Sequence, residues 1–217
     1  TIIVLTGYIG NKTDGFKFRF DRTLLEGDVN HLEFHKLIDT KYIDCQPQSI
    51  AKNALYWEEF LRCKQTLEGE SNWILLGDSH AEHLFLGLAN SNPDKNIVFY
   101  IFDGKPYFDD PQFKDIYEVL KTAKSPKLIF LTMHFVQRIV NSNELYKDLT
   151  ENVLKLQKFG HKVVLLGDIP KYQVHPEDCV FAPTMEISMK YCSMPLSEFS
   201  IQKAIFDPTL KKIANEN

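Results

Sequence analysis

Four apolar runs divide the middle of this chain. Trp73–Leu76 (WILL), Ile97–Phe102 (IVFYIF), Lys127–Thr132 (KLIFLT) and Lys162–Leu166 (KVVLL) carry little polar alternation, as strands buried on both faces do. Between them lie stretches with helical spacing: Ala81–Ala89, Phe113–Thr122 and Asn143–Phe159. In the last, Leu145, Leu149, Val153 and Leu156 recur on one face and Gly160 supplies the stop. Strands alternating with helices predict a parallel sheet covered on both faces. Right-handed crossovers would bring the strand ends to one edge, so Ser79, Gly104, His134 and Asp168 are expected on a common rim.

The flanks are less regular. In the lead-in, Asn11–Gly15 is a turn cluster and Phe16–Phe20 alternates aromatic and basic residues as an edge strand does. Leu32, Phe34, Leu37 and Ile38 have weak helical spacing. Ser49 is expected to cap a helix using Ala51, Leu55 and Phe60, with Cys63 at its far end. Residues 171–200 are irregular and contain three prolines. Thr1–Ile9 is apolar but much shorter than the roughly 20 residues that span a bilayer, and it lacks the charged start of a signal peptide. It reads either as a buried strand or as the trailing end of a membrane helix.

At 217 residues and 44% hydrophobic, the chain can bury one sizeable core. Its net charge of −4, with scattered Lys and Arg, gives no footprint for nucleic acid or for an anionic membrane surface. The 16 Phe and 9 Tyr are mostly core, with some available to line a groove for sugars. The four cysteines form two local pairs, Cys45 with Cys63 and Cys179 with Cys192, and neither has the spacing of a zinc site. Two disulfides are expected, each worth about 3 kcal/mol, in an oxidising compartment; four unrelated buried thiols are the alternative. No metal or cofactor is expected, and no G-x-G-x-x-G follows a strand to hold a dinucleotide.

The chemistry concentrates where the first strand meets its helix, in Gly77-Asp78-Ser79-His80. A serine at that place stands at the carboxyl edge of a sheet and at a helix N-terminus, where free N–H groups hold negative charge. It is either a helix cap or a nucleophile that forms an oxyanion while attacking an ester. Val163–Pro170 (VVLLGDIP) repeats the strand-Gly-Asp pattern without a serine, so the glycine and aspartate alone are ordinary turn residues. The N–H groups of Ser79 and Gly104 are candidate oxyanion donors, Gly104 being otherwise a plain turn glycine. His134 is a further candidate donor or a structural histidine. His80 and His83 share a helix turn with Ser79 and read as surface or groove residues. No general base is evident among them or among His31, His35 and His175.

Gly77-Asp78-Ser79 after a buried strand resembles the block I motif of the SGNH hydrolases. The longer Gly77–Ala81 resembles the SGNH domain fused to membrane acyltransferase-3 proteins. Cys63 ahead of that block, Gly160–Val164 running into Gly167-Asp168-Ile169-Pro170, and Pro176–Cys179 with Cys192 add to the likeness over about residues 60–205. The resemblance implies a flavodoxin-like three-layer α/β/α domain with a parallel sheet, over residues 71–217. Residues 1–20 would then be the end of a membrane segment and 21–70 a linker or extension. It also implies transfer of an acyl group, usually acetyl, to a hydroxyl of a cell-surface glycan outside the cytoplasmic membrane. Ser79 carries over as the nucleophile and oxyanion donor, and Gly104 as the block II glycine. A membrane acyltransferase domain of the same parent chain would deliver the acyl group. Thr132-Met133-His134 replaces the block III asparagine, and no Asp-x-x-His of block V is found, so that motif is expected beyond residue 217. An esterase of the same chemistry and a non-catalytic glycan-binding module are the alternatives.

Overall fold

The computed structural model describes residues 31–139, 141–172 and 192–217, together with Lys12. Thr1–Ile9, the Asn11–Gly15 turn apart from Lys12, Phe16–Phe20, His175 and Cys179 lie outside the described residues. The chain divides into two compact units, residues 1–34 with 172–195 and residues 35–171 with 196–217. The second unit holds the sheet.

Four parallel strands form its centre: β5 (Trp73–Gly77), β6 (Ile97–Ile101), β7 (Leu128–Leu131) and β8 (Lys162–Leu165). Two short strands from earlier in the chain, β1 (Ile43–Asp44) and β4 (Lys64–Gln65), extend the sheet, and its order is β1-β4-β6-β5-β7-β8. β4 pairs antiparallel with β6, and β1 antiparallel with β4. Residues 43–65, which the resemblance assigns to a linker or extension, thus supply two strands to the sheet. From β5 the chain moves to β6 on one side, then crosses to β7 and β8 on the other. The strand order therefore reverses at β5, the switch point where open α/β sheets bind ligands.

Register aligns the strand ends. Gly77 lies opposite Ile101, Leu76 opposite Leu131, and Leu131 opposite Leu165. The residues that follow each strand emerge on one edge, as parallel pairing requires.

Alternation along β5 sends its side chains to two different cores. Ile74 and Leu76 join Val98, Tyr100, Ile129 and Leu131 on one face. That face packs against α4 (Lys114–Lys121), α6 (Ser142–Lys158) and α8 (Asp207–Glu216) through Leu120, Leu149, Leu156 and Ile213. On the other face, α3 (Ser79–Ser91) places Phe85 against Phe99 at 4.9 Å and Tyr42 at 4.8 Å between ring centroids. Tyr42 follows α1 (His31–Lys41). With helices on both faces, the unit is a three-layer α/β/α fold.

The helix expected after Ser49 does not run to Cys63. Only α2 (Gln48–Ala51) is helical; a small antiparallel hairpin follows, β2 (Tyr56–Trp57) with β3 (Phe60–Leu61). Glu58 turns it with φ at 51°. Tertiary pairing overrides helical propensity here, because Cys63 must return to Cys45, whose N–H donates to the Cys63 carbonyl at 2.9 Å. Cys45 and Cys63 are joined in a disulfide with 5.2 Å between Cα atoms. Cys192 is also disulfide-bonded.

Candidate active site

Gly77 ends β5 where two neighbouring strands close in. Its carbonyl accepts from the Phe102 N–H at 3.1 Å, and a Cβ on it would stand 2.0 Å from the Thr132 carbonyl oxygen. Only a residue without a side chain fits there. One residue on, Asp78 takes the N-cap of α3: its Oδ1 accepts from the His80 N–H at 3.0 Å. Its Oδ2 accepts from the His134 N–H at 2.9 Å and from Arg138 Nε at 2.7 Å. Asp78 is 2% exposed, so this carboxylate ties the start of α3 to the turn after β7 from inside the protein.

Capping is thus done by Asp78, and Ser79 opens the helix itself. Neither the Ser79 hydroxyl nor its N–H has a hydrogen-bond partner among the described residues. The residue is half-buried at the strand edge. An unpaired N–H at the first position of a thirteen-residue helix favours negative charge nearby.

Arg138 lies in α5 (Phe135–Arg138) and extends the tie to the β6 loop, since its Nη2 donates to the exposed Asp103 at 2.9 Å. Burial works against its charge, but the hydrogen bonds to Asp78 and Asp103 outweigh it and raise the guanidinium pKa. Gly104 follows Asp103. The side chains of Asp110 and Gln112 fold over it, within 2.6 Å and 3.0 Å of where a Cβ would stand. No hydrogen bond joins Ser79 to Gly104 or to His134 among the described residues.

The histidines are arranged differently from the expectation. His80, expected as a surface or groove residue, is largely covered, with 16% side-chain exposure, and its Nδ1 meets Oδ1 of Asp168. Asp168 follows β8 and its side chain is fully inaccessible. His134 stacks on His80 at 4.3 Å, and His83 lies at 6.4 Å on the same ring. Burial first, then the neighbouring His80, holds His134 below the ordinary imidazole pKa, against the pull of the Asp168 and Asp78 carboxylates. The side chain that points away from Ser79 thereby points across the sheet edge toward β8. His80 and Asp168 are 88 residues apart, so no local spacing reveals the pair. Their shared rim was the available signal.

A cavity of about 920 Å³ lies elsewhere, lined by Gln46, Ile74, Tyr100 and Lys127 among others; Ser79, His80, Gly104, His134 and Asp168 do not border it. Among the described residues, no group of three or more His, Cys, Asp or Glu side chains is disposed to hold a metal ion. None of the described helices is long and apolar enough to cross a membrane.

Residues 44–217 match the family model for the SGNH domain fused to AT3 domains. The chain belongs to this SGNH family. No curated protein and no solved structure matches it. The SGNH membership carries esterase- or acyltransferase-type activity at the level of the family, and the fusion points to a role connected with glycan acyl transfer and to membrane tethering. In this SGNH domain Gly77, Asp78 and Ser79 do three separate jobs: close approach of strands, capping of α3, and opening of the helix with an unbonded hydroxyl.

Proposed function

We propose that the domain transfers an O-acyl group, acetyl in the simplest case, through Ser79 to a hydroxyl of a cell-surface glycan.

 The observation that carries this reading is the division of labour at the start of α3: Asp78 caps the helix, which leaves the Ser79 hydroxyl and N–H both unpartnered at the switch point of the sheet. A hydroxyl needed only as a cap would be bonded to the first turn.

In this reading Ser79 Oγ attacks the acyl carbonyl of a donor held by a membrane acyltransferase domain of the parent chain; the bond from the acyl carbon to the donor's leaving atom breaks, and that atom takes up the proton the hydroxyl gives up. The Ser79 N–H donates to the developing oxyanion, and the Gly104 N–H and the His134 ring are the further donors. A neutral imidazole can donate one hydrogen bond without carrying charge, and the lowered pKa of His134 suits that role. The acyl group then passes to the glycan hydroxyl on the extracytoplasmic face, a compartment compatible with the Cys45–Cys63 disulfide. Hydrolysis by the same residues is the esterase form of this chemistry, with water as acceptor.

A serine-directed fluorophosphonate tests the assignment. Intact-mass and peptide analysis is expected to find one adduct, on Ser79, and none in Ser79→Ala. An unlabelled wild-type protein, or an adduct that survives Ser79→Ala, would refute it.

A further inference from the structure

The last rung between β5 and β6 is the bond from the Phe102 N–H to the Gly77 carbonyl at 3.1 Å, and past it no backbone hydrogen bond joins the two turns among the described residues. A side chain from the turn of a third strand joins them instead. Arg138, in α5 after β7, donates from Nε to Asp78 at 2.7 Å and from Nη2 to Asp103 at 2.9 Å. Each of these aspartates immediately precedes a candidate oxyanion donor, Ser79 in one turn and Gly104 in the other. One planar, rigid guanidinium therefore grips both turns a single residue short of the two N–H groups.

The β6 turn is arranged to be held. The Gly104 N–H, like that of Ser79, has no hydrogen-bond partner among the described residues. A peptide unit is planar and trans, so its C=O and N–H point in opposite directions, and fixing one aims the other. The Asp103 carbonyl accepts from Gln112 Nε2 at 3.4 Å, while the Asp103 carboxylate is held by Arg138. The peptide between Asp103 and Gly104 is thus secured at its carbonyl and at the preceding side chain, and its N–H is left open.

The two ends of this clamp differ. The Asp78 side chain is 3% exposed and the Asp103 side chain 86%. An ion pair as exposed as the second contributes little to folding, so the outer half of the clamp is separable from the stability of the domain. We infer that Arg138 is a positioning residue for acyl transfer, setting the separation of the Ser79 and Gly104 N–H groups so that one oxyanion receives both. This rests on Ser79 being the nucleophile.

Phosphonylation of the full chain by a fluorophosphonate tests it. Ser79 Oγ bonds to phosphorus, fluoride leaves, the hydroxyl proton passes to solvent, and the phosphonyl oxygen takes the place of the oxyanion. In wild type the Gly104 amide proton is expected to move downfield in the ¹H–¹⁵N spectrum on labelling. In Asp103→Ala that movement is expected to shrink and labelling to slow about two- to fivefold, with the urea midpoint unchanged because the lost carboxylate is exposed. Arg138→Lys, which keeps the charge without the fork, is expected to slow labelling to a similar extent. The double variant should be no slower than either single one, since both break the same link. A Gly104 shift and labelling rate in Asp103→Ala equal to wild type overturn the inference. So do additive losses in the double variant, or a loss of labelling that only tracks a lower urea midpoint. A wild-type Ser79 that takes up no label refutes the serine assignment itself, whereas a labelled Ser79 with the Gly104 amide unmoved overturns the positioning alone.

Discussion

Two strands of the sheet end in Leu-Gly-Asp, and the two turns do opposite work. At Gly77-Asp78 the backbone is pressed against Thr132, and the aspartate accepts from His80, His134 and Arg138. At Gly167-Asp168 the nearest atom to an added Cβ is Phe206 Cε2 at 3.7 Å, and the carboxylate is left with one oxygen unpartnered. Both aspartates hold His80, one by its main chain and the other by its ring. The first turn is built for stability. The second buries a carboxylate that it does not fully satisfy, a cost of the kind found at functional sites.

Breaking the glycines sharpens this contrast most. Gly77→Ala drives a methyl into backbone and is expected to destabilise by about 3 kcal/mol or more, where Gly167→Ala stays within about 1 kcal/mol. Urea unfolding of the two variants measures the difference; equal midpoints would remove the distinction between the turns. The aspartates come next. Asp78→Asn sets an amide against the His134 and Arg138 donors and is expected to cost about 2–3 kcal/mol. Asp168→Asn, at a site already short of partners, is expected to change stability by about 1 kcal/mol or less, in either direction, in the same assay.

The smallest effect is on pH dependence. His134 bonds the first turn through its N–H and feels the carboxylate of the second, and burial first, then the neighbouring His80, holds its folded pKa below the ordinary 6.5; burial lowers that of His161 as well. Each imidazole binds a proton more readily when the chain is unfolded. Their contribution is therefore full above the unfolded value and is lost as pH falls through it toward the folded one. Urea midpoints should decline between about pH 7.5 and pH 5, and His134→Gln should flatten the decline.

The sheet was legible because its strands are uninterrupted apolar runs; all four parallel strands fall where the pattern places them, to within a residue or two at each end. The edge strands β1 and β4 were not, since two residues carry no period. Ser49 to Cys63 misled because helical spacing in Ala51, Leu55 and Phe60 says nothing of a chain that must return to Cys45. At the site, the motif singled out Ser79, but no local signal shows that Asp78 would take the cap. Nor does any spacing connect His80 to Asp168, which meet only because two parallel strands end in register.

The edge of the sheet holds one more lesson. β1 and β4 are two residues each, too short to stay paired by backbone hydrogen bonds alone, and the Cys45–Cys63 bridge fastens one to the other. The same margin, which covers the flank of β6, is also held by the ion pairs of Lys64 with Asp39 and Asp44, so the bridge adds a covalent fastening to charged ones. That fastening lasts only where thiols stay oxidised, so the redox setting decides how firmly this margin of the sheet is held.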